Sequence, residues 1–125
     1  MTDVTGFGLI GHVRELARGS GVSVRLFASR VPLLEGALEC VRHGCVPGGL
    51  KANRGFAEGC VEYADDVSED VRTLLYDPQT AGGLLISVAA SESDRLVGQL
   101  GNAGVNALEI GELVEKQKPL ITVLA

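Results

Sequence analysis

The stretch that constrains this chain most is Thr2 to His12, which reads Thr-Asp-Val-Thr-Gly-Phe-Gly-Leu-Ile-Gly-His. One acid, Asp3, and two hydroxyls, Thr2 and Thr5, sit beside Gly6, Gly8 and Gly11. Glycine gives up side-chain packing and costs backbone entropy, so such a cluster marks a sharp turn or a close approach. Phe7, Ile10, Val13, Leu16 and Ala17 then recur at helical spacing. The stretch is therefore a loop that feeds a helix N-terminus, with no strand expected before it. Such a junction offers amide N–H groups and the positive end of a helix dipole, which suit a phosphate. Asp3, just upstream, is placed to hold a cation that bridges to it. On spacing alone a plainer reading stands first: Thr5 as an N-cap and the glycines as a tight turn. The pattern is neither a Walker A loop nor GxGxxG, and no Lys lies within it.

The rest of the chain sets limits on this. A length of 125 residues with 46% hydrophobic residues predicts one compact domain over 1–125. Aromatics are 4% with no Trp, so the expected core is aliphatic. A net charge of −5 argues against nucleic acid or an anionic membrane as partner. No apolar run approaches a membrane span, and no basic-then-apolar start marks a secretion signal. Cys40, Cys45 and Cys60 are odd in number and form no CxxC pair, which fits reduced thiols and a cytoplasmic location. Cys40 is expected in the core, Cys45 in a loop. With His43 these cysteines match no familiar zinc-finger spacing.

In order, the pattern predicts a helix from Phe7 closed by Gly21, a strand over Val22–Ala28, and a helix over Leu33–His43 opened by Pro32. Cys45–Asn53 reads as a loop, with Asn53 capping a short segment over Arg54–Gly59. Lys51 in that loop is a possible anion ligand, though a lone loop Lys is usually solvated. A short strand follows over Cys60–Ala64, then a helix opened by Ser68. After the turn residues Asp77–Gly83, the apolar run Gly83–Ala89 reads as a buried central strand. Ser91 is expected to cap a helix over Glu92–Gly101. Strands over Ala107–Val114 and Leu120–Leu124 read as a hairpin. Interleaved helices and strands predict an α/β layered domain, a mixed sheet covered by helices.

Three motifs carry a resemblance beyond this. Thr2–His12, Pro47-Gly-Gly-Leu-Lys-Ala-Asn53 and Asp77-Pro-Gln-Thr-Ala-Gly-Gly-Leu-Leu85 resemble, in order, the C-terminal domain of selenophosphate synthetase (selenide, water dikinase). The first and third motifs are long and specific, and the likeness covers nearly the whole chain. It implies the α/β layered domain shared with aminoimidazole ribonucleotide synthetase. It also implies an enzyme that makes selenophosphate from selenide and ATP, releasing AMP and phosphate, with Mg2+ against the ATP phosphates.

By resemblance Asp3 is a magnesium ligand. Thr2, Thr5, Gly6, Gly8, Asn53, Asp77, Gln79 and Thr80 line the ATP site. No catalytic residue is carried over, because the family's reactive Cys or selenocysteine and most of its acids lie in an N-terminal domain. Nothing in this sequence matches that domain, so the isolated chain is expected to be inactive and a monomer or weak dimer, where the longer enzyme is a homodimer. Ala81 stands where the family commonly has Ser. His12 is expected to be structural. Two alternatives are a stand-alone anion- or nucleotide-binding module and the matching domain of a relative such as thiamine-phosphate kinase.

Overall fold

The computed structural model describes residues 1–78 and 83–125. Its first element is a strand, β1 (Thr2–Val4), where none was expected. Three residues are too few to show a period, but Val4 turns inward and is buried. Helix α1 (Gly8–Ser20) follows, with Ile10, Val13 and Ala17 buried at helical spacing. It ends as the sequence predicts, on Gly21 in the left-handed region.

Strand β2 (Ser23–Phe27) buries Val24 and Leu26 and turns Arg25 outward, as alternation requires. A 3-10 turn over Ala28–Arg30 leads away from it. The expected helix from Leu33 is shorter: α2 spans Ala37–Arg42. Gly36 sits at φ +79 just before it, a conformation that interrupts a helix, so Pro32 opens nothing. Cys40 on α2 is exposed, against the expectation of a core thiol.

The largest correction is α3 (Gly48–Ala57), a full helix where a loop over Cys45–Asn53 was expected. Pro47 precedes it in an extended conformation, and Asn53 lies inside it rather than capping it. Three glycines, Gly48, Gly49 and Gly55, lower its helix propensity. Burial of Leu50 and Ala57, two turns apart on one face, outweighs that cost. A 3-10 turn over Glu58–Cys60 leads to β3 (Val61–Tyr63). Helix α4 (Glu69–Leu74) is capped as predicted: the Ser68 hydroxyl accepts from the Val71 N–H.

Strand β4 (Gly83–Leu85) pairs antiparallel with β1, Asp3 opposite Leu84. It is not the buried central strand the apolar run suggested. Leu84 is 61% exposed, and Ile86 and Val88 are exposed beyond it. Helix α5 (Ser93–Asn102) starts after a 3-10 turn over Ala90–Glu92 and has no side-chain cap, so Ser91 does not cap it. Leu96, Val97 and Leu100 are half-buried along it.

The last two strands, β5 (Gly111–Val114) and β6 (Ile121–Leu124), do not form a hairpin. The described strands make a two-stranded sheet, β1-β4, and a four-stranded sheet in the order β3-β6-β2-β5. β6 runs parallel to both β3 and β2, while β5 runs antiparallel to β2 on its other side. The segment between β5 and β6 crosses β2 instead of turning back. Buried Ser23 fixes that crossing, its hydroxyl donating to the Gln117 carbonyl at 3.0 Å and accepting the Gln117 N–H at 2.9 Å. Two features explain the order. Ile121 and Val123 are fully buried, which suits an interior strand. Gly111 lets β5 press onto β2, for a Cβ there would meet the Arg25 carbonyl oxygen at 2.3 Å. The result is a mixed sheet with α1 and α3 packed together beside it, an α/β layered fold.

Candidate functional site

The site is built around the turn between β1 and α1. The Gly8 N–H donates to the Thr5 carbonyl at 3.1 Å and closes it. Thr5 is not the helix N-cap; Phe7 holds that position without a side-chain bond. Instead the Thr5 N–H donates to His12 Nε2 at 2.9 Å, and the Thr5 hydroxyl lies 3.0 Å from the same nitrogen. His12 is buried and structural, as expected: it reaches back from the second turn of the helix to hold the loop.

Two amides at this helix start are already used within the protein. Gly8 bonds Thr5, and the Ile10 N–H donates to the Leu75 carbonyl at 3.1 Å. The second bond ties α1 to the end of α4, so the junction offers fewer N–H groups to an anion than its sequence suggested.

The three sequence motifs meet here. Gly8 lies at φ +71 against the backbone of Tyr76, where a Cβ would come within 2.7 Å of the carbonyl carbon. Asn53, on α3, points its side-chain amide between the two segments. Nδ2 donates to the Gly6 carbonyl at 2.9 Å and to the Tyr76 carbonyl at 3.0 Å. Gly49, at the start of α3, packs under the Pro78 ring, where a Cβ would meet Cγ at 3.3 Å. Gly6, Gly8, Gly49, Asn53 and the Tyr76–Pro78 turn therefore form one assembly from segments far apart in the chain.

The other candidates fall around it. Asp3 is exposed on β1, and Thr2 beside it is half-buried, its hydroxyl donating to the Asp3 carbonyl at 3.2 Å. Asp77 is half-buried, with its N–H bonded to the Leu74 carbonyl at 3.0 Å. Gln79, Thr80 and Ala81 lie outside the described residues. Lys51 is exposed on α3 rather than in a loop. Among the described residues no three His, Cys, Asp or Glu side chains gather closely enough to hold a metal ion. Asp3 therefore stands without a second and third such ligand from the described residues. Magnesium sites commonly use one or two carboxylates with phosphate and water.

Tyr76 was not singled out from sequence, yet it is the hub. Its ring is fully buried, and its hydroxyl lies 2.6 Å from the Tyr63 hydroxyl on β3. Burial pushes the Tyr63 phenol well above the usual range, and the bond to Tyr76 adds to this. Burial likewise raises Tyr76. The signal available in sequence was an aromatic residue directly before Asp77-Pro78, in a chain with five aromatics. Arg54, one residue past Asn53, is bound by Glu69 and Glu58. The bond to Glu69, then that to Glu58, raises its pKa further, so its charge is answered within the protein.

Within the assembly Gly6 and Gly49 are exposed, while Gly8 and Tyr76 are buried. Two shallow grooves of about 350 and 320 Å3 lie elsewhere, one along α5 by Val88 and Arg95, the other between Thr2 and the far end of α1.

Comparison with known proteins gives one consistent result. The family model for the AIR synthase related protein C-terminal domain matches residues 1–123. A selenide, water dikinase of Clostridioides difficile is 42% identical over 125 residues, covering 99% of this chain and 36% of its own length. One from Pelobacter propionicus is 45% identical over 123 residues, covering 98% and 35%. One from Salmonella typhimurium is 44% identical over 115 residues, covering 92% and 32%. The chain thus spans about a third of the length of these relatives.

Proposed function

The chain belongs to the AIR synthase related protein family, by its C-terminal domain, and from this premise we propose that it works as the C-terminal part of a selenide, water dikinase. That reaction makes selenophosphate from selenide, water and ATP and releases AMP and phosphate. The observation that carries the reading is the convergence of parts of the three motifs, Gly6–Gly8, Gly49–Asn53 and Pro78 with the preceding Tyr76, into one assembly. Relatives named for this activity at 42% and 45% identity support it.

Asp3 would supply one carboxylate to Mg2+ on the ATP phosphates, and the Gly6–Gly8 backbone would lie close to them. A bound magnesium ion neutralises charge on the transferring group, which phosphoryl transfer requires. Thr2, Thr5 and Asp77 would line the same cleft, with Gln79 and Thr80 following Asp77 in sequence. One exposed carboxylate is too little for tight magnesium binding, so the remaining ligands would come from the rest of a longer protein. The exposure of Asp3, Gly6 and Gly49 accords with this. The reading carries with it an inactive isolated chain, a homodimeric longer enzyme and a cytoplasmic location.

The test is Asp3→Asn in the longer protein that carries this chain, assayed for selenide-dependent AMP by phosphorus NMR. The expected result is a loss of at least about a hundredfold, since the change removes a metal-bound charge at the reacting phosphates. Unchanged AMP formation in Asp3→Asn would remove Asp3 from the metal site. Selenide-dependent AMP formation by the isolated 125-residue chain would overturn the need for a partner domain.

A further inference from the structure

Asn53 entered as a candidate ATP-site residue, and its geometry argues for a different task. A carboxamide holds a phosphate through its NH2 group, which has two hydrogens. Both are taken up by the carbonyls of Gly6 and Tyr76, at 2.9 and 3.0 Å. The identity of the facing atom is secure on chemical grounds: both partners are carbonyl oxygens, so only the nitrogen of the amide can face them. What remains is the side-chain oxygen, which repels a phosphate.

The two carbonyls belong to different segments. Gly6 lies in the β1–α1 turn; Tyr76 ends the turn after α4 and is followed by Asp77. Side-chain bridges between two backbone segments fix distance and orientation together, because a planar amide holds its two hydrogens in a set fork. Around this bridge the segments already touch, with Gly8 on the Tyr76 backbone and Gly49 under Pro78. Tyr76 itself is anchored from below by Tyr63.

We infer that Asn53 is a positioning residue, whose amide fixes the glycine turn that follows Asp3 against the Tyr76–Asp77 turn, and that its NH2 group makes no contact with the bound ligand's phosphates. The inference rests on the proposed cleft for the identity of that ligand, and on the hydrogen bonds alone for the positioning.

The deciding experiment is amide hydrogen exchange on the 125-residue protein without ligand, comparing wild type with Asn53→Ala. Exchange is expected to quicken about tenfold or more at residues 5–10 and at Tyr76 and Asp77 and to hold steady in β2 and β6, the pattern of a local opening. The carbonyl carbon resonances of Gly6 and Tyr76 are expected to shift with it, a signature that general loosening elsewhere does not produce. Unchanged exchange and resonances in both segments would overturn the inference and return Asn53 to the ligand. Quickening spread equally over β2 and β6 would overturn it too, by making Asn53 a general packing residue. Should Asn53→Ala fail to fold, Asn53→Gln keeps the amide on a longer arm and is read by the same two segments.

In the longer protein, Asn53→Ala is expected to lower kcat by about tenfold or more with KM for ATP little changed, the mark of lost alignment. A raised KM with kcat retained would overturn the inference. The exchange result needs neither ATP nor selenide, so it stands or falls separately from the proposed reaction.

Discussion

Gly8 rests on the backbone of Tyr76 with no room for a side chain: a Cβ there would lie 2.7 Å from the carbonyl carbon and 2.8 Å from the oxygen. The residue is also at φ +71, where L side chains are strained. Gly8→Ala should therefore destabilise the protein by about 2–4 kcal/mol through strain and clash together. Gly19, in the same helix, faces open space. Gly19→Ala should stabilise by about 0.5–1 kcal/mol through backbone entropy. Urea unfolding of both variants measures the contrast. Equal effects would mean that the approach to Tyr76 does not constrain this turn.

The buried tyrosine pair predicts a sensitivity to alkali. Tyr63 and Tyr76 are the only tyrosines, and there is no Trp, so tyrosinate absorbance reads this pair alone. Both phenols are raised by burial above their ordinary value of about 10. The unfolded chain then releases its phenolic protons first as pH rises. The contribution of this pair to stability should be level below about pH 10 and fall above it. Absorbance at the tyrosinate band should rise only together with unfolding. Ionisation near pH 10 in a protein that stays folded would contradict the buried pair.

Sheet position predicts unequal tolerance in two apolar strands. Ile121 on β6 is fully buried, while Leu84 on β4 is 61% exposed. Ile121→Ala should cost about 2–5 kcal/mol. Leu84→Ser should stay within about 0.5 kcal/mol in the isolated chain. Thermal unfolding distinguishes them. A large loss at Leu84 would restore β4 as a core strand.

Thiol reactivity checks the placement of α2. Cys40 and Cys45 are exposed, whereas Cys60 is half-buried with its thiol directed to the Ala57 carbonyl at 3.0 Å. An aromatic disulfide reagent at neutral pH should titrate two thiols quickly and the third slowly. A single fast thiol would put Cys40 back in the core.

Much of the secondary structure was legible from periodicity, because α1, β2 and β6 each bury a face at their own repeat and α5 half-buries one, while α4 was marked by its Ser68 cap. What failed had a local signal opposed by a distant one. Pro47, Gly48 and Gly49 read as a loop, and only burial of Leu50 and Ala57 against the rest of the molecule makes α3 a helix. β5 and β6 read as a hairpin because alternation reports faces and says nothing of which strand lies alongside. The motifs of the candidate site were recognisable as words. Their contact was not, since Asn53 meets Gly6 and Tyr76 only once α3 packs against α1.

The position of β6 bears on how this chain is made. Ile121–Leu124 lies between β3 and β2, so most of the larger sheet is tied through a strand that is synthesised after both neighbours. While the ribosome is still adding the residues before 121, the segments of β2 and β3 have been synthesised but have no strand between them. At elongation rates of about 5–20 residues per second, that interval lasts seconds. Nascent chains stalled before residue 121 should resist folding and attract chaperones. Those in which Leu124 has cleared the exit tunnel should gain protease resistance in a single step.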